Sequence, residues 1–586
     1  MTTWYDHAII YQIYPKSFQD SNGDGVGDLN GIRARIPYIQ ALGVNAVWLN
    51  PIFTSPQVDN GYDVANYYAV DPQMGTMADM EALLAAFHAA GIHVILDFVL
   101  NHTSDQHPWF LDAVSSKDSL YRDYYIFAGQ NGRRPNNWGS FFGGSVWAPD
   151  PAGSGQSYFH LFDRRMPDLN WANPEVRHAM QDVADFWLQK GVDGLRLDAF
   201  IHIAKASLDQ DWPTAAGDDA PVVAEPFFAN RPQVQDWLRP FCQHVKADYP
   251  DAMLLGEAAS ASVDLAAAYT AADNHLMDSV VTFRYFTEQA PAKAKLPAAY
   301  QPREMDWLAF KQGQATWQQT LQAPPTLYWS NHDMARLATR VAHGPVQARS
   351  LALLMYLQRG IPIIYYGEEL GLENLALPDA AAFGDATVTD FLQQAKAAGV
   401  DDRQALAWVN ATHKLPARGP MPWGDSVGGG GTAASGVTGA AGSPSQPAGT
   451  EPPTAAAARL RATAGFTTGT PWLDGTAQAT ATAAAQDVDP TSSLHFYREL
   501  IALKKRPLFA AGDYHLLSTS DNLYAYRRTL ADSQALVVVN LGATPATLEA
   551  GLSGMTRRLT AGKVTRHGDH LTLAPYAGVV LTTHQD

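Results

Sequence analysis

Eight short apolar runs, each followed by a longer amphipathic stretch, constrain this chain more than any other feature. They span 8–15, 45–50, 93–100, 194–198, 252–258, 275–283, 326–333 and 361–369. Strand–helix alternation of this kind predicts a parallel sheet with helices outside it, and eight is a number that closes such a sheet on itself. Between the third and fourth runs lie roughly 70 residues rich in Trp, Phe, Asn and Gly, too many for an ordinary connection. From about Asp513 the pattern turns all-β. The fold expected is a (β/α)8 TIM barrel with a subdomain inserted after strand 3 and a C-terminal antiparallel β-sandwich. The expected division is a barrel of 1–101 and 172–510, a lid subdomain of 102–171 and a sandwich of 511–586. Residues 425–464 interrupt the barrel with Gly, Ala, Ser and Pro. Their heart, 426–458, has only Val427 and Val437 as large aliphatics. Such a stretch cannot offset its ordering entropy by burial, so it reads as a flexible surface insertion.

The net charge of −17 argues against nucleic acid as a partner, because phosphate backbones need clustered Lys and Arg. No apolar run reaches the ~20 residues that cross a bilayer. The N-terminus carries neither a basic n-region nor a cleavable apolar core. A cytoplasmic protein without membrane partners is expected, as a monomer or weak homo-oligomer. Cys242 stands alone and reads as a small buried hydrophobe.

Four of the runs end on or near an acid: Asp97, Asp198, Glu257 and Asp333. A parallel barrel presents side chains for chemistry at the C-terminal ends of its strands. An unpaired buried acid costs several kcal/mol, so four of them imply a shared task. Arg196 and Asp198, two apart on one strand, share a face. A fixed cation there would keep Asp198 ionised. Glu257 follows apolar Met253-Leu254-Leu255, a setting that raises a carboxyl's pKa. An anionic carboxylate facing a protonated one is the equipment of retaining glycoside hydrolysis.

The segments DFVLNHTS (97–104), GVDGLRLDAF (191–200), LLGEAAS (254–260) and SNHDMAR (330–336) stand in order on separate strands. In them the chain resembles the α-amylase family of retaining glycosidases, within it the branch of oligo-1,6-glucosidases, dextran glucosidases and α-glucosidases. The resemblance implies Asp198 as nucleophile, Glu257 as acid/base and Asp333 as the carboxylate that fixes the sugar hydroxyls. It implies His102 and His332 as hydrogen-bond donors to the same sugar, and Asp97 as a brace. VDNGYD (58–63) resembles the branch's QDMGYD, which implies Asp59 at O4 of a terminal glucose and Tyr62 beneath its ring. Arg418, in ARGPMPW where the branch has ARTPMQW, is the implied partner of Asp59. Phe142 and Phe162 would supply apolar walls. An Asp–Arg clamp on O4 leaves no room for a longer chain and makes the enzyme exo-acting.

Several positions depart from the branch: Gly419, Pro422, Met166 and Met334 stand where Thr or Gln is usual. Ala199 follows the nucleophile position, where α-1,6-preferring members carry Val. The expectation is an exo-acting retaining α-glucosidase that favours maltose and malto-oligosaccharides over isomaltose. The alternatives are an oligo-1,6-glucosidase, or a glucosyltransferase or isomerase using the same intermediate. In the loop 20–28, oxygen-bearing residues alternate with glycines, a spacing that suits calcium or magnesium. It resembles the branch's structural metal loop, which implies side-chain ligands Asp20, Asn22, Asp24 and Asp28 and the Val26 carbonyl. No organic cofactor is expected.

Overall fold

The computed structural model describes residues 3–214, 220–289, 296, 299–424, 464–475 and 481–583. The Gly/Ala-rich insertion lies almost wholly outside the described residues. Eight parallel strands form one sheet: β1 (Ile10–Ile13), β2 (Ala46–Leu49), β3 (His93–Val99), β4 (Gly194–Asp198), β5 (Met253–Glu257), β6 (Ser279–Val281), β7 (Thr326–Leu327) and β8 (Ile361–Tyr365). Their order is β6-β5-β4-β3-β2-β1-β8-β7, so β1 pairs with both β2 and β8. Side chains span the remaining seam. Thr326 Oγ1 donates to the Val280 carbonyl at 2.9 Å, and Tyr328 OH to that of Thr282 at 2.7 Å.

The strands are mostly apolar and, apart from half-buried His93, buried because helices cover their outer face. The helix Pro174–Gln189, between β3 and β4, shows how. Asn173 caps it by accepting the Glu175 N–H, and Val176, Met180, Val183, Ala184, Trp187 and Leu188 form its buried stripe. Register then places the chemistry. Arg196 pairs with Asp97 across β3–β4 and with Leu255 across β4–β5. Gly256 is required before Glu257, since a Cβ there would sit 2.7 Å from the Phe200 ring.

The insertion after β3 contains a small antiparallel sheet of Phe127–Ala128, Ser157–Phe159 and Trp147–Pro149. Part of the β4–β5 connection joins it. Trp138 Nε1 donates to the Gln210 carbonyl at 2.8 Å, and Ala224 and Phe228 share a core with Trp138, Trp147 and Phe159. The C-terminal region has a five-stranded and a three-stranded antiparallel sheet. Leu523, Leu536, Val538, Leu571 and Val579 fill the space between them. Tyr526 OH and Arg528 Nη1 tie this sandwich to the barrel through the Leu354 and Leu357 carbonyls, at 3.0 and 2.6 Å.

Seven of the eight runs are shorter as strands than their sequences suggest, and the difference matters most at Asp333. β7 ends at Leu327, so Asp333 is carried by the turn beyond the barrel rather than by its strand. Asn331 Oδ1 holds that turn by accepting the Asp333 N–H at 2.8 Å.

Candidate active site

A cavity of about 560 Å3 opens at the C-terminal end of the barrel. Asp59, Tyr62, His102, Phe142, Phe162, Asp198, Glu257 and Asp333 all line it. The volume suits a small ligand.

Its floor is organised by one guanidinium. Arg196 is buried and lies 5.0 Å from the Trp48 ring centre. Nη1 reaches Asp97 Oδ1 at 2.8 Å and also Asp198, while Nη2 reaches Glu257 Oε2 at 3.0 Å. Ala199, at φ 49°, turns its N–H onto the same Glu257 oxygen at 3.1 Å. Asp97 accepts further bonds from Trp48 Nε1 (3.1 Å), Asn50 Nδ2 (3.3 Å) and Tyr62 OH (3.0 Å). It is a brace, wholly enclosed by protein groups.

The electrostatics differ from the sequence expectation for Asp198. Burial pushes its carboxyl well above the ordinary range; Arg196 opposes this, and Glu257 and Asp97 reinforce it. Three acids surround one cation, so the guanidinium alone does not hold Asp198 ionised.

Asp333 is different. Burial would raise its carboxyl, but His332, Lys414 and Arg418 hold it well below the usual carboxylate range. His332 stands 3.1 Å from it through Nε2, which also meets Tyr62 OH at 2.5 Å, and its Nδ1 meets Gln12 Nε2 at 2.8 Å. Tyr62 stacks on the His332 ring at 10°. His102 is buried and kept neutral, its pKa lowered to about 4 by desolvation. Its Nε2 has no protein partner, so a donor or acceptor remains for a ligand in the cavity it lines.

Asp59 sits on a tight turn. Asp63 accepts the N–H groups of Val58 and Asp59 at 2.8 and 3.0 Å, and Asn60 and Gly61 take left-handed conformations. Its expected pairing with Arg418 is not what forms. Arg418 donates to the His332 carbonyl at 2.7 Å and to Asp333 Oδ1 at 3.1 Å, buried behind the pocket wall. Asp59 Oδ1 instead meets Lys414 Nζ at 3.5 Å. The sequence reading also missed the outer wall, which includes Phe141, Glu225, Arg284, Glu288 and Arg303. No spacing rule draws residues from three separate barrel connections together.

In the loop 20–28, Asp20 Oδ1 accepts the Asn22 and Gly23 N–H groups at 2.9 and 2.7 Å, and Oδ2 accepts that of Gly25 at 2.8 Å. Gly25, sixth from Asp20, has φ 91°. Oxygen-bearing residues thus stand at positions one, three, five and nine of this loop, with glycine at six.

Comparison with known proteins sets these residues in context. A family model described as alpha amylase, catalytic domain, matches residues 12–438. The chain belongs to the alpha-amylase family. It is a glycoside hydrolase of that family. An oligo-1,6-glucosidase of Halalkalibacterium halodurans is 34% identical, covering 92% of this chain and 90% of that protein. A trehalose-6-phosphate hydrolase of Bacillus subtilis is 35% identical over 99% of this chain and 98% of that one. Among solved structures, a family GH13_31 enzyme superposes with TM-score 0.87 at 58% identity over the whole of both chains. A trehalulose synthase does so with TM-score 0.84 at 30% identity, over 99% of this chain and all of that one. Among the described residues no helix is long and apolar enough to cross a membrane.

Proposed function

We propose that this protein is an exo-acting, retaining α-glucosidase that releases glucose from the non-reducing ends of short α-glucosides. The observation that carries this reading is the shared guanidinium. Asp198 and Glu257 bond adjacent nitrogens of Arg196 and line one pocket. That supports the close carboxyl spacing of about 5 Å on which double displacement depends.

Glu257 donates its proton to the glycosidic oxygen as Asp198 attacks the anomeric carbon. This breaks the C–O bond and forms a β-glucosyl ester on Asp198. Glu257, now anionic, takes a proton from water, whose oxygen displaces Asp198 and restores the α configuration. Asp333, His102 and Asp59 bind the ring hydroxyls, and Tyr62 supports its face. Phe142 and Phe162 form the lid wall, their ring centres 5.7 Å apart. His332 and Arg418 act by holding Asp333.

Ala199 supports activity on α-1,4 bonds, since the small side chain leaves space beside Asp198 for the leaving sugar. Maltose and malto-oligosaccharides are therefore proposed as better substrates than isomaltose. The trehalose-6-phosphate hydrolase and trehalulose synthase among the relatives make a phosphorylated disaccharide and an isomerisation the competing outcomes. We further propose calcium or magnesium in the loop 20–28, held by Asp20, Asn22, Asp24, Asp28 and the Val26 carbonyl, where it would brace the loop rather than take part in the reaction. Cytoplasmic location and a monomeric or weakly associated state complete the reading.

Initial rates on maltose, isomaltose, sucrose, trehalose and trehalose 6-phosphate test it. Glucose release fastest from maltose is expected. Superiority of isomaltose overturns the linkage assignment, and turnover of trehalose 6-phosphate alone overturns the substrate class.

A further inference from the structure

The pocket holds a cation that sequence reasoning did not single out. Lys414 caps the turn Leu415–Arg418 and places Nζ 3.5 Å from Asp59 Oδ1 and 3.7 Å from Asp333 Oδ1. The same ammonium lies 5.4 Å from the centre of the Phe142 ring, so it links the barrel's acids to the lid. Lys414 lines the cavity, while Arg418 is spent on Asp333, the His332 carbonyl and Tyr14 behind it. An ammonium has three donors. Two can serve the carboxylates, which leaves one for a ligand.

Which ligand atom meets it follows from ring geometry. With the anomeric carbon between Asp198 and Glu257, C4 lies directly across the pyranose ring. Of the pocket's catalytic-end acids, Asp59 and Asp333 are the two not bonded to Arg196, and Lys414 stands between them. We propose that Lys414 is a specificity-determining residue: it donates to the 4-hydroxyl of the terminal hexose while holding Asp59 and Asp333 against the same edge. The pocket thereby accepts only chain ends whose 4-hydroxyl is free and equatorial. A flexible point charge performs this task, where a planar guanidinium would impose its own fork geometry. The inference rests on the α-glucosidase reading.

The test measures kcat and KM of wild type, Lys414→Met and Lys414→Arg on 4-nitrophenyl α-glucoside and on its 4-deoxy analogue, with thermal melting to confirm folding. Losing a charged hydrogen bond to one hydroxyl should lower kcat/KM of Lys414→Met at least about tenfold on the glucoside. The loss on the 4-deoxy analogue should stay below about twofold, and Lys414→Arg should recover part of the glucoside activity. The proposal is overturned if the loss on the glucoside is less than about five times that on the analogue. A wild type that cleaves no α-glucoside overturns instead the reading on which the proposal rests.

Discussion

Arg196 binds the two carboxylates that face each other in the pocket: Nη1 contacts Asp198, and Nη2 lies 3.0 Å from Glu257. The cation fixes their separation and leaves their combined negative charge only partly compensated. The two acids thus share position as well as charge, and each is expected to be indispensable in a distinguishable way. Asp198→Asn removes the nucleophile and should lower kcat about 1,000-fold or more on every substrate, with the melting temperature kept. Glu257→Gln should cost as much on maltose but less on 4-nitrophenyl α-glucoside, whose leaving group needs no proton. Azide should rescue the second variant by displacing Asp198 from the β-glucosyl ester, which gives an α-glucosyl azide. Equal losses on both substrates would contradict the division of roles.

The opposite roles of the two acids give the pH profile its shape. Activity needs the pair singly protonated, so kcat/KM should fall in acid as a second proton is taken up and in alkali as the last is lost. Because burial, Glu257 and Asp97 raise the Asp198 carboxyl, the acid limb should lie above the range of an ordinary aspartate. Asp333 is held low and should not contribute to that limb. An acid limb at the ordinary carboxylate value would contradict the electrostatic account.

Stability should also depend on pH. Glu368, behind β8, accepts bonds from Tyr356 OH and Tyr497 OH (3.0 Å), and burial raises its pKa to about 7 from 4.5. The native state binds this proton more tightly than the unfolded chain does. The stability it contributes, about 3 kcal/mol, is fully present below pH 4.5 and is lost as pH rises through about 7. Glu368→Gln should flatten the fall in Tm between pH 5 and 8. An unchanged slope would contradict the assignment.

How much of this was legible in sequence varies with the physical signal. The arrangement of Arg196 and Asp198 could be read because strand periodicity puts residues two apart on one face. Their strand, and that of Glu257, end at the acids themselves. Asp333 was located by its motif, but its support was not: it stands six positions beyond the end of β7, and a side chain at Asn331 does the work of the strand. The exchange of partners at Arg418 was hidden because three groups compete for that guanidinium and only the folded turn decides among them. Lys414 gave no signal at all, since one lysine in a loop has no period. The second half of the lid, around Leu208 to Phe228, was missed because its contacts with Asn136 and Trp138 cross about 70 residues of chain.

The loop 20–28 supplies a prediction independent of catalysis. Chelation by EDTA should lower Tm by several degrees and leave kcat unchanged well below the melt, with calcium or magnesium restoring it. Asp20→Ala should have the lowered Tm already and should not respond to EDTA. Insensitivity of the wild type would remove the metal from the account.

Ala199 sits at φ 49° with its N–H on Glu257. A β-branched residue in that conformation is strained by roughly 1–3 kcal/mol. Ala199→Val should lower Tm and raise the isomaltose-to-maltose ratio of kcat/KM about tenfold by narrowing the space beside Asp198. An unchanged ratio would place linkage selection elsewhere on the outer wall.

Covalent attachment of the sugar to Asp198 leaves its signature in the anomeric configuration of the first product. Proton NMR during the first minutes of maltose hydrolysis should show α-glucose appearing from the non-reducing unit before mutarotation, as two inversions at one carbon require. Initial appearance of β-glucose from that unit would mean a single displacement by water and would contradict the account.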